Sequence, residues 1–310
     1  MLIVTGAAGF IGSNLLRALN QRGDTDILIV DRLGENFRNL SDLRFSDYLT
    51  PEAMLGALER GAMPQSVEAI FHQGACADTT ETDGRYMMEN NFAFSRALLG
   101  FALERRAPFV YASSASVYGA GRETAVEPAC ERPLNLYALS KLAFDNHVRH
   151  AARGAASTVV GLRYFNVYGP GEAHKGKMAS MPYQLFRQLR DTGAARLFTG
   201  TDGFGDGEQR RDFVFVDDVV KVNLHFAAAP VCQRIVNVGT GASRSFNDVA
   251  RILIGLRGGG KIEYVPFDER LKGKYQSFTQ ADLRTLRSAG YAAEFTSLDN
   301  GIAAAAPRWE

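Results

Sequence analysis

A glycine-rich segment near the start of the chain, Thr5-Gly6-Ala7-Ala8-Gly9-Phe10-Ile11-Gly12, decides the fold class. It follows the apolar run Met1 to Val4 and precedes apolar residues at helical spacing from Ile11 to Leu19. Its glycines stand at positions i, i+3 and i+6, where residues without Cβ allow a sharp turn and a close approach of backbone N–H groups to a pyrophosphate. The N-terminus of the following helix adds partial positive charge at the same place. This strand–turn–helix pattern predicts a dinucleotide-binding site.

Further apolar runs alternate with helical patterns along the first half of the chain. The runs are Ile27 to Val30, Val67 to Phe71, Pro108 to Ala112 and Val159 to Leu162, with a long helical pattern from about Asp83 to Arg106. Short continuous apolar runs are typical of parallel strands that are buried between two layers of helices. The sequence therefore predicts an α/β fold with a Rossmann-type doubly wound parallel sheet.

The character of the sequence changes from Gly169 onward. Turn signals become frequent, and the strand-like pieces Phe213 to Val216 and Ile262 to Val265 are short and separated by irregular segments. We expect a smaller, discontinuous α/β domain here that supplies the substrate side. The predicted division assigns residues 1–168 and about 213–240 to the dinucleotide-binding domain. Residues from about 169–212 and 241–310 are assigned to the substrate-binding domain.

Composition excludes several classes of protein. The 310 residues carry 35 basic and 34 acidic side chains, a formal net charge of +1, which provides no polybasic surface for nucleic acid. No stretch approaches the roughly 20 apolar residues that a membrane-spanning helix needs, and the first residues lack the features of a secretory signal. Three cysteines at wide spacing indicate neither a disulfide framework nor a zinc site, so no metal is expected. We expect a cytoplasmic globular protein.

The residues after the second predicted strand leave the choice of cofactor open. Asp31 lies 19 residues after Gly12, close to the separation at which a carboxylate binds the adenosine ribose. Asp31 alone favours NAD, because its charge repels a 2′-phosphate. Arg32 beside it can neutralise that repulsion and bind the phosphate, which favours NADP, or it can be a solvated surface residue.

A serine, a tyrosine and a lysine form the candidate catalytic set. Tyr137 and Lys141 are i, i+4 neighbours on a predicted helix. Ser114 ends the fourth predicted strand, at the edge of the sheet where open α/β folds bind ligands. Removing hydride from an alcohol carbon requires the hydroxyl proton to leave, and a tyrosinate can accept that proton. An adjacent ammonium group favours the tyrosinate, and the serine hydroxyl orients the substrate oxygen.

Longer motifs resemble the extended short-chain dehydrogenase/reductases that act on nucleotide sugars. They are Ser113-Ser114-Ala115-Ser116-Val117-Tyr118-Gly119, Arg163-Tyr164-Phe165-Asn166-Val167-Tyr168-Gly169-Pro170 and Arg211-Asp212-Phe213-Val214-Phe215-Val216-Asp217-Asp218-Val219. Within this superfamily the chain is most similar to the ADP-heptose 6-epimerases, over essentially its whole length. The stretches that carry this closer resemblance are Phe71 to Cys76, Tyr86 to Asn91, His174 to Gly176 and Leu271 to Leu283.

The resemblance implies an epimerase that inverts C6 of an ADP-bound heptose with NADP, on the route to the lipopolysaccharide inner core. It implies Tyr137 and Lys175 as the acid/base pair, with Ser114 assisting. The implied cofactor-binding residues are Gly6, Gly9, Phe10, Ile11, Gly12, Asp31, Arg32, Gln73, Gly74, Ala75, Cys76, Ala77, Asn90, Lys141, Val167 and Lys175. The implied substrate-binding residues are Asn166, Lys177, Gln184, Phe198, Thr199, Gly200, Thr201, Arg211 and Tyr275. A homo-oligomer, a pentamer by family resemblance, is also implied, with no nucleic-acid or membrane partner.

The sequence departs from the family pattern at three places, one of which is the loop from Asp202 to Gln209, which is longer than expected. The segment from Leu33 to Pro51 is shorter and lacks the lysines that the family carries near the adenosine phosphate. Lys177 and Gln184 stand where the family has serine and histidine contacts. These departures concern how phosphate and substrate are held, and they leave the implied reaction unchanged.

Other functions of the same fold stay open. Relatives that act as 4,6-dehydratases place an Asp-Glu pair directly after the strand-end Ser or Thr, whereas Ala115 and Ser116 occupy those positions here. A net reductase uses the same three residues and differs in consuming free NADPH. A non-catalytic NADP-binding regulator has no need of Ser114, Tyr137 and Lys141 together.

Overall fold

A computed structural model of the chain describes residues 1–268 and 275–309. Its strands are β1 (Leu2–Thr5), β2 (Ile27–Val30), β3 (Asp47–Leu49), β4 (Ala69–His72), β5 (Phe109–Ser114), β6 (Val159–Tyr164), β7 (Asn166–Tyr168), β8 (Ala194–Phe198), β9 (Arg210–Arg211), β10 (Phe213–Phe215), β11 (Gln233–Val238), β12 (Arg244–Ser245) and β13 (Lys261–Val265). Its α-helices are α1 (Phe10–Gln21), α2 (Pro51–Glu59), α3 (Gly84–Met88), α4 (Phe94–Arg105), α5 (Leu136–Ala151), α6 (Met181–Thr192), α7 (Val216–Ala228), α8 (Phe246–Arg257), α9 (Arg284–Ser288) and α10 (Leu298–Ala305).

Within the described residues, seven strands form one parallel sheet in the order β3-β2-β1-β4-β5-β6-β11. β1 pairs with β2 on one side and with β4 on the other, so that Thr5 stands opposite both Val30 and His72. The chain therefore reverses its direction of winding between β1 and β4. The carboxyl ends of these two strands form the edge where doubly wound folds bind ligands. The predicted Rossmann-type sheet is confirmed.

Both faces of the sheet are buried, which explains the continuous apolar runs. Neighbouring residues of β1 point to opposite faces: Val4 packs in the core that contains Leu15 of α1, and Ile3 packs in the core that contains Leu98 of α4. Burying one such side chain contributes about 1.5–3 kcal/mol. Helices on both faces thus hold the strand ends, and the loops after them, in place.

The second region packs α6, α8 and α10 around a core of its own, which contains Leu189, Leu253 and Ile302. In this region β8 pairs in parallel with β13, and β9 pairs antiparallel with β12. Two residues from the range predicted for the substrate domain, Leu286 and Tyr291, pack instead in the core beside the large sheet. The division at the predicted residue numbers stays a prediction.

Local elements differ from the sequence predictions at three places. The sequence did not predict β3 or α2. β3 is an edge strand of three residues, none of which is fully buried, so it lacks a continuous apolar run like that of its neighbour β2. The helix predicted from about Asp83 to Arg106 contains a π-helical turn at Glu89–Ala93. The strand predicted from Phe213 to Val216 ends one residue early, because Val216 begins α7. Among the described helices, none has the length and apolar character needed to cross a membrane.

Candidate active site

The glycine turn joins β1 to α1, and it has no room for a side chain at Gly6 or Gly12. Gly6 has a φ of +66°, and a Cβ on Gly12 would lie 2.0 Å from the carbonyl oxygen of Gly6. Gly9 precedes α1 as its N-cap, and no side chain caps this helix end. Backbone N–H groups therefore remain to meet an anion here. The turn fits the pyrophosphate of a dinucleotide.

A cavity of about 840 Å³ extends from this turn along the carboxyl ends of β1, β2 and β4. Of the cofactor-binding residues implied by the resemblance, it is lined by Gly6, Gly9, Phe10, Ile11, Gly12, Asp31, Arg32, Gln73, Gly74, Ala75, Cys76, Ala77, Asn90 and Lys175. Lys141 and Val167 are not among its lining residues. The lining also contains residues that belong to no motif named in the sequence, among them Asn36, Glu52 and Leu55. Their loop and helix positions carry no local motif that could have indicated them.

Asp31 and Arg32 lie at one end of the cavity. The Asp31 carboxylate accepts hydrogen bonds from the backbone N–H groups of Ala8, at 2.8 Å, and Arg32, at 2.7 Å. Burial raises the pKa of Asp31, although these hydrogen bonds act in the opposite direction. The Arg32 side chain donates to Glu52 Oε1 from Nε, at 3.0 Å, and to Asn90 Oδ1 from Nη1, at 2.9 Å. Arg32 is thus a partnered residue of the cavity wall.

The candidate catalytic set lies at the carboxyl end of β5 and the start of α5. Asn135 caps α5 by accepting a hydrogen bond from the N–H of Ala138, at 2.8 Å, which begins the helix just before Tyr137. The buried ammonium of Lys141 lies 5.9 Å from the centre of the Tyr137 ring and donates to the Ala112 carbonyl oxygen at 2.8 Å. Strand β5 and helix α5 thus bring the set together.

The charge states of this set follow from its burial. Burial raises the pKa of Tyr137, while a hydrogen bond with Ser114 lowers it. Burial lowers the pKa of Lys141 to about 8, although the nearby Asp145 carboxylate raises it. The Tyr137 hydroxyl is therefore protonated at neutral pH in this structure, and further positive charge is needed to favour the tyrosinate.

Asn91 connects the cofactor cavity to α5, and the sequence reasoning did not single it out. It lies in the π-helical turn, and its side chain accepts from the N–H of Cys76, at 2.8 Å, and donates to the Cys76 carbonyl, at 2.9 Å. It also donates to Ser140 Oγ at 3.0 Å, and Ser140 donates to the Tyr137 carbonyl at 2.7 Å. A π-helical turn is a frequent feature of functional sites, and this one places Asn91 where it reaches Cys76. The apolar periodicity of the sequence does not show such a turn.

A buried polar network lies behind the catalytic set. Asp145 accepts hydrogen bonds from the hydroxyls of Tyr111 and Ser113 and from Arg163 Nε, each at 2.9 Å. Arg163 also pairs with Glu131. Burial alone would lower the pKa of Arg163, but the Asp145 carboxylate raises it well above its usual value. The network fixes α5 against the ends of β5 and β6.

Lys175 lies beside the glycine turn. Its ammonium stands 5.4 Å from the centre of the Phe10 ring, and it shares the cavity wall with His174. Burial lowers the pKa of Lys175, while the buried carboxylate of Glu172 raises it. Glu172 holds this segment by accepting from the N–H of Gly169, at 3.1 Å, and from Ser180 Oγ, at 2.9 Å. The contacts described for Lys175 are on the cofactor side of the site.

The residues expected to bind substrate lie mostly in the second region. The Arg211 guanidinium stands 4.8 Å from the ring centre of Tyr275 and 5.4 Å from that of Phe246. Exposed Asn166, on β7, accepts from Thr279 Oγ1 at 3.2 Å. Of the stretch Leu271 to Leu283, residues 271–274 lie outside the described residues.

The other residues expected to bind substrate form hydrogen bonds with neighbouring residues of the chain. Phe198 ends β8, and Thr199, Gly200 and Thr201 follow it, with Gly200 donating to Asp206 Oδ1 at 2.8 Å. Gln184 donates to the carbonyl oxygens of Ala179, at 2.6 Å, and Lys177, at 3.3 Å. The Lys177 side chain is exposed. Their roles toward a substrate stay predictions.

Comparison with known proteins identifies the family of the chain. The model of the NAD dependent epimerase/dehydratase family matches residues 2–239. The chain belongs to this family. It is 52% identical over 304 residues to the ADP-L-glycero-D-manno-heptose-6-epimerase of Alkalilimnicola ehrlichii, with 97% of this chain and 95% of that protein covered. As a family member, the chain is an enzyme with a site for a nicotinamide cofactor.

Two solved structures extend the comparison. The Helicobacter pylori ADP-L-glycero-D-manno-heptose-6-epimerase superposes with a TM-score of 0.86 at 32% identity, covering 99% of this chain and 95% of that one. MoeE5, in complex with UDP-glucuronic acid and NAD, has a TM-score of 0.79 at 28% identity, covering 99% and 98%. The resemblance to the ADP-heptose 6-epimerases that the motifs indicated is confirmed.

Proposed function

We propose that this protein converts ADP-D-glycero-D-manno-heptose to ADP-L-glycero-D-manno-heptose by inverting C6, on the route to the lipopolysaccharide inner core. Hydride would leave C6 for the nicotinamide cofactor and the hydroxyl proton for a base, which gives a ketone at C6. After the ketone turns in the site, hydride would return to its opposite face and a proton would return to its oxygen. One observation carries the proposal. Asn91 forms hydrogen bonds to Cys76, which lines the dinucleotide cavity, and to Ser140, which stands between Tyr137 and Lys141 on α5, so the helix that carries the candidate base is held against the cofactor cavity.

NADP is the proposed cofactor, and when bound it accepts the hydride and returns it within one catalytic cycle. The N–H groups at the start of α1 would hold its pyrophosphate, and Asp31 would bind the adenosine ribose. Arg32 lies in the same cavity beside Asp31 and is the candidate contact for the 2′-phosphate. This guanidinium supports NADP over NAD.

Tyr137 is the proposed acid/base on the first face of C6. Its ionised phenolate oxygen accepts the substrate hydroxyl proton as hydride leaves, while Ser114 holds the substrate oxygen. Because burial raises the pKa of Tyr137, the tyrosinate depends on positive charge, which the ammonium of Lys141 supplies from 5.9 Å. General acid–base groups of this kind typically contribute about 10²–10⁴-fold to the rate.

Lys175 is the proposed acid/base on the second face. After rotation the ketone oxygen points away from Tyr137, so that a second donor is required. Lys175 is half-buried, and burial lowers the pKa of its ammonium, which makes it a better proton donor than an exposed lysine. Its position beside Phe10 also supports the other role open to it, neutralising a phosphate of the substrate or the cofactor.

The deciding experiment follows the C6 configuration by NMR when purified protein is incubated with ADP-D-glycero-D-manno-heptose and no added cofactor. Inversion without added nucleotide supports an epimerase with retained cofactor. Turnover only with added NADPH, and consumption of that NADPH, would make the protein a net reductase. The nucleotide released on denaturation identifies the cofactor, and NAD alone would overturn the NADP assignment.

A cytoplasmic location and a homo-oligomer, a pentamer by family resemblance, complete the proposal. Light scattering coupled to size-exclusion chromatography measures the mass in solution against the 33.9 kDa of one chain. A mass equal to a single chain would overturn the oligomer.

A further inference from the structure

Charged residues of both signs meet around the expected position of the adenosine ribose. Asp31, Glu52 and Glu89 line the cavity around Arg32. Glu89 is balanced by Arg85, whose Nε donates to its carboxylate at 2.8 Å. Asp31 and Glu52 therefore act together against the single charge of Arg32. A 2′-phosphate, which carries nearly two negative charges, would enter a site whose nearest charges sum to about minus one.

Glu52 and Asn90 hold the Arg32 side chain on two sides. Nε donates to Glu52 Oε1 at 3.0 Å, Nη2 pairs with the same oxygen, and Nη1 donates to Asn90 Oδ1 at 2.9 Å. A guanidinium has five N–H donors, so these contacts leave two for another ligand. The orientation of Arg32 is thus compatible with a phosphate, but Glu52 offsets its charge.

The carboxylate of Glu52 is kept ionised by its place in the fold. Glu52 is in the first turn of α2, directly after Pro51, and Thr50 caps that helix by accepting from the N–H of Ala53 at 3.1 Å. The first turn of a helix favours a negative charge. A hydrogen bond with its own backbone N–H and one with Arg32 lower the pKa of Glu52. The charge that offsets Arg32 is therefore present at neutral pH.

We infer that Glu52 is a specificity-determining residue for the cofactor, which acts through Arg32 to weaken the preference for a 2′-phosphate over a 2′-hydroxyl. The inference rests on the proposed role of Arg32 toward NADP. A 2′-phosphate must share Arg32 with a carboxylate, whereas the ribose hydroxyls of NAD need only Asp31. Glu52 thus narrows the difference in affinity between the two nucleotides.

The test measures bound nucleotide directly. Purified protein is equilibrated with equal concentrations of NADP and NAD until the bound ratio is constant, freed of unbound nucleotide and denatured. Chromatography then gives the NADP to NAD ratio. The variants are Glu52→Gln, Arg32→Ala and the double variant, with Glu59→Gln as the matched control, since Glu59 is an exposed glutamate in the last turn of the same helix and does not line the cavity.

The glutamine variant keeps an oxygen that accepts from Arg32 and removes only the charge. We expect Glu52→Gln to raise the NADP to NAD ratio about three- to tenfold, because Arg32 then no longer shares its charge with a carboxylate and interacts more strongly with the 2′-phosphate. Arg32→Ala should lower the ratio, and Glu52→Gln should have little further effect in that background. Glu59→Gln should leave the ratio unchanged.

Each failure has a distinct meaning. An unchanged or lower ratio in Glu52→Gln, while Arg32→Ala still lowers it, would overturn the inference and leave the NADP assignment intact. A rise of equal size with and without Arg32 would show that Glu52 acts directly on the nucleotide, which also overturns the stated route. A ratio that Arg32→Ala does not change would instead remove the proposed role of Arg32.

Discussion

Replacing Asp145 with alanine removes the centre of the polar network behind the candidate catalytic set. Asp145 and Arg163 are both fully buried, at 0% exposure, so that neither can recover hydration when its partner is lost. Truncating one partner of a buried ion pair costs about 3–5 kcal/mol. The free energy of unfolding of a typical domain is about 5–15 kcal/mol. Asp145→Ala should therefore lose a large part of the stability.

Asp145→Asn removes the negative charge of the side chain and keeps its shape. An asparagine oxygen placed at Oδ2 can still accept from Arg163 and Ser113, and the Tyr111 hydroxyl can rotate to accept from the amide. We expect a smaller loss of stability than in the alanine variant. Because the Asp145 carboxylate raises the pKa of Lys141, its loss should lower that pKa further below about 8. The ammonium that supports Tyr137 would then deprotonate at lower pH, and the alkaline limb of the pH–rate profile should move to lower pH.

Urea unfolding of both variants and their pH–rate profiles check these effects. The reasoning is refuted if Asp145→Ala costs less than about 1 kcal/mol, the size of an ordinary hydrogen bond. The proposed effect of Asp145 on Lys141 is refuted if Asp145→Asn lowers stability but the alkaline limb of the pH–rate profile stays at the same pH. The network would then have a purely structural role.

Three further predictions concern the site itself. Tyr137→Phe should lower turnover about 10²–10⁴-fold while the released nucleotide is unchanged in amount; a loss of less than about threefold on that scale would exclude Tyr137 as the base. Gly12→Ala should abolish cofactor retention, measured by absorbance after gel filtration, because its Cβ would lie 2.0 Å from the Gly6 carbonyl oxygen, whereas a Cβ on the control Gly100 meets nothing within 4 Å. Lys175→Met should stop inversion while an aldehyde analogue of the substrate still undergoes hydride transfer in a single turnover; weaker ADP-sugar binding at unchanged turnover would make Lys175 a phosphate clamp.

The sequence by itself determined the fold class and the place of the cofactor turn. The apolar runs Ile27 to Val30 and Val159 to Leu162 are buried in the structure, as their continuous pattern predicted. The spacing of Gly6, Gly9 and Gly12 located the turn, because a missing Cβ is a local property that sequence states directly. The i, i+4 spacing of Tyr137 and Lys141 on α5 was likewise local.

Only the tertiary structure decided which distant side chains pair with one another. Arg32 meets Glu52 across 20 residues, Asn91 reaches Cys76 across 15 and Ser140 across 49, and Arg163 meets Glu131 across 32. The physical reason is that periodicity specifies which face of an element is buried, but not which distant element covers that face. Charge pairing acts over a few ångströms of space, so that the charge state of Lys141, the orientation of Arg32 and the position of Lys175 beside the glycine turn depend on how the strands and helices pack.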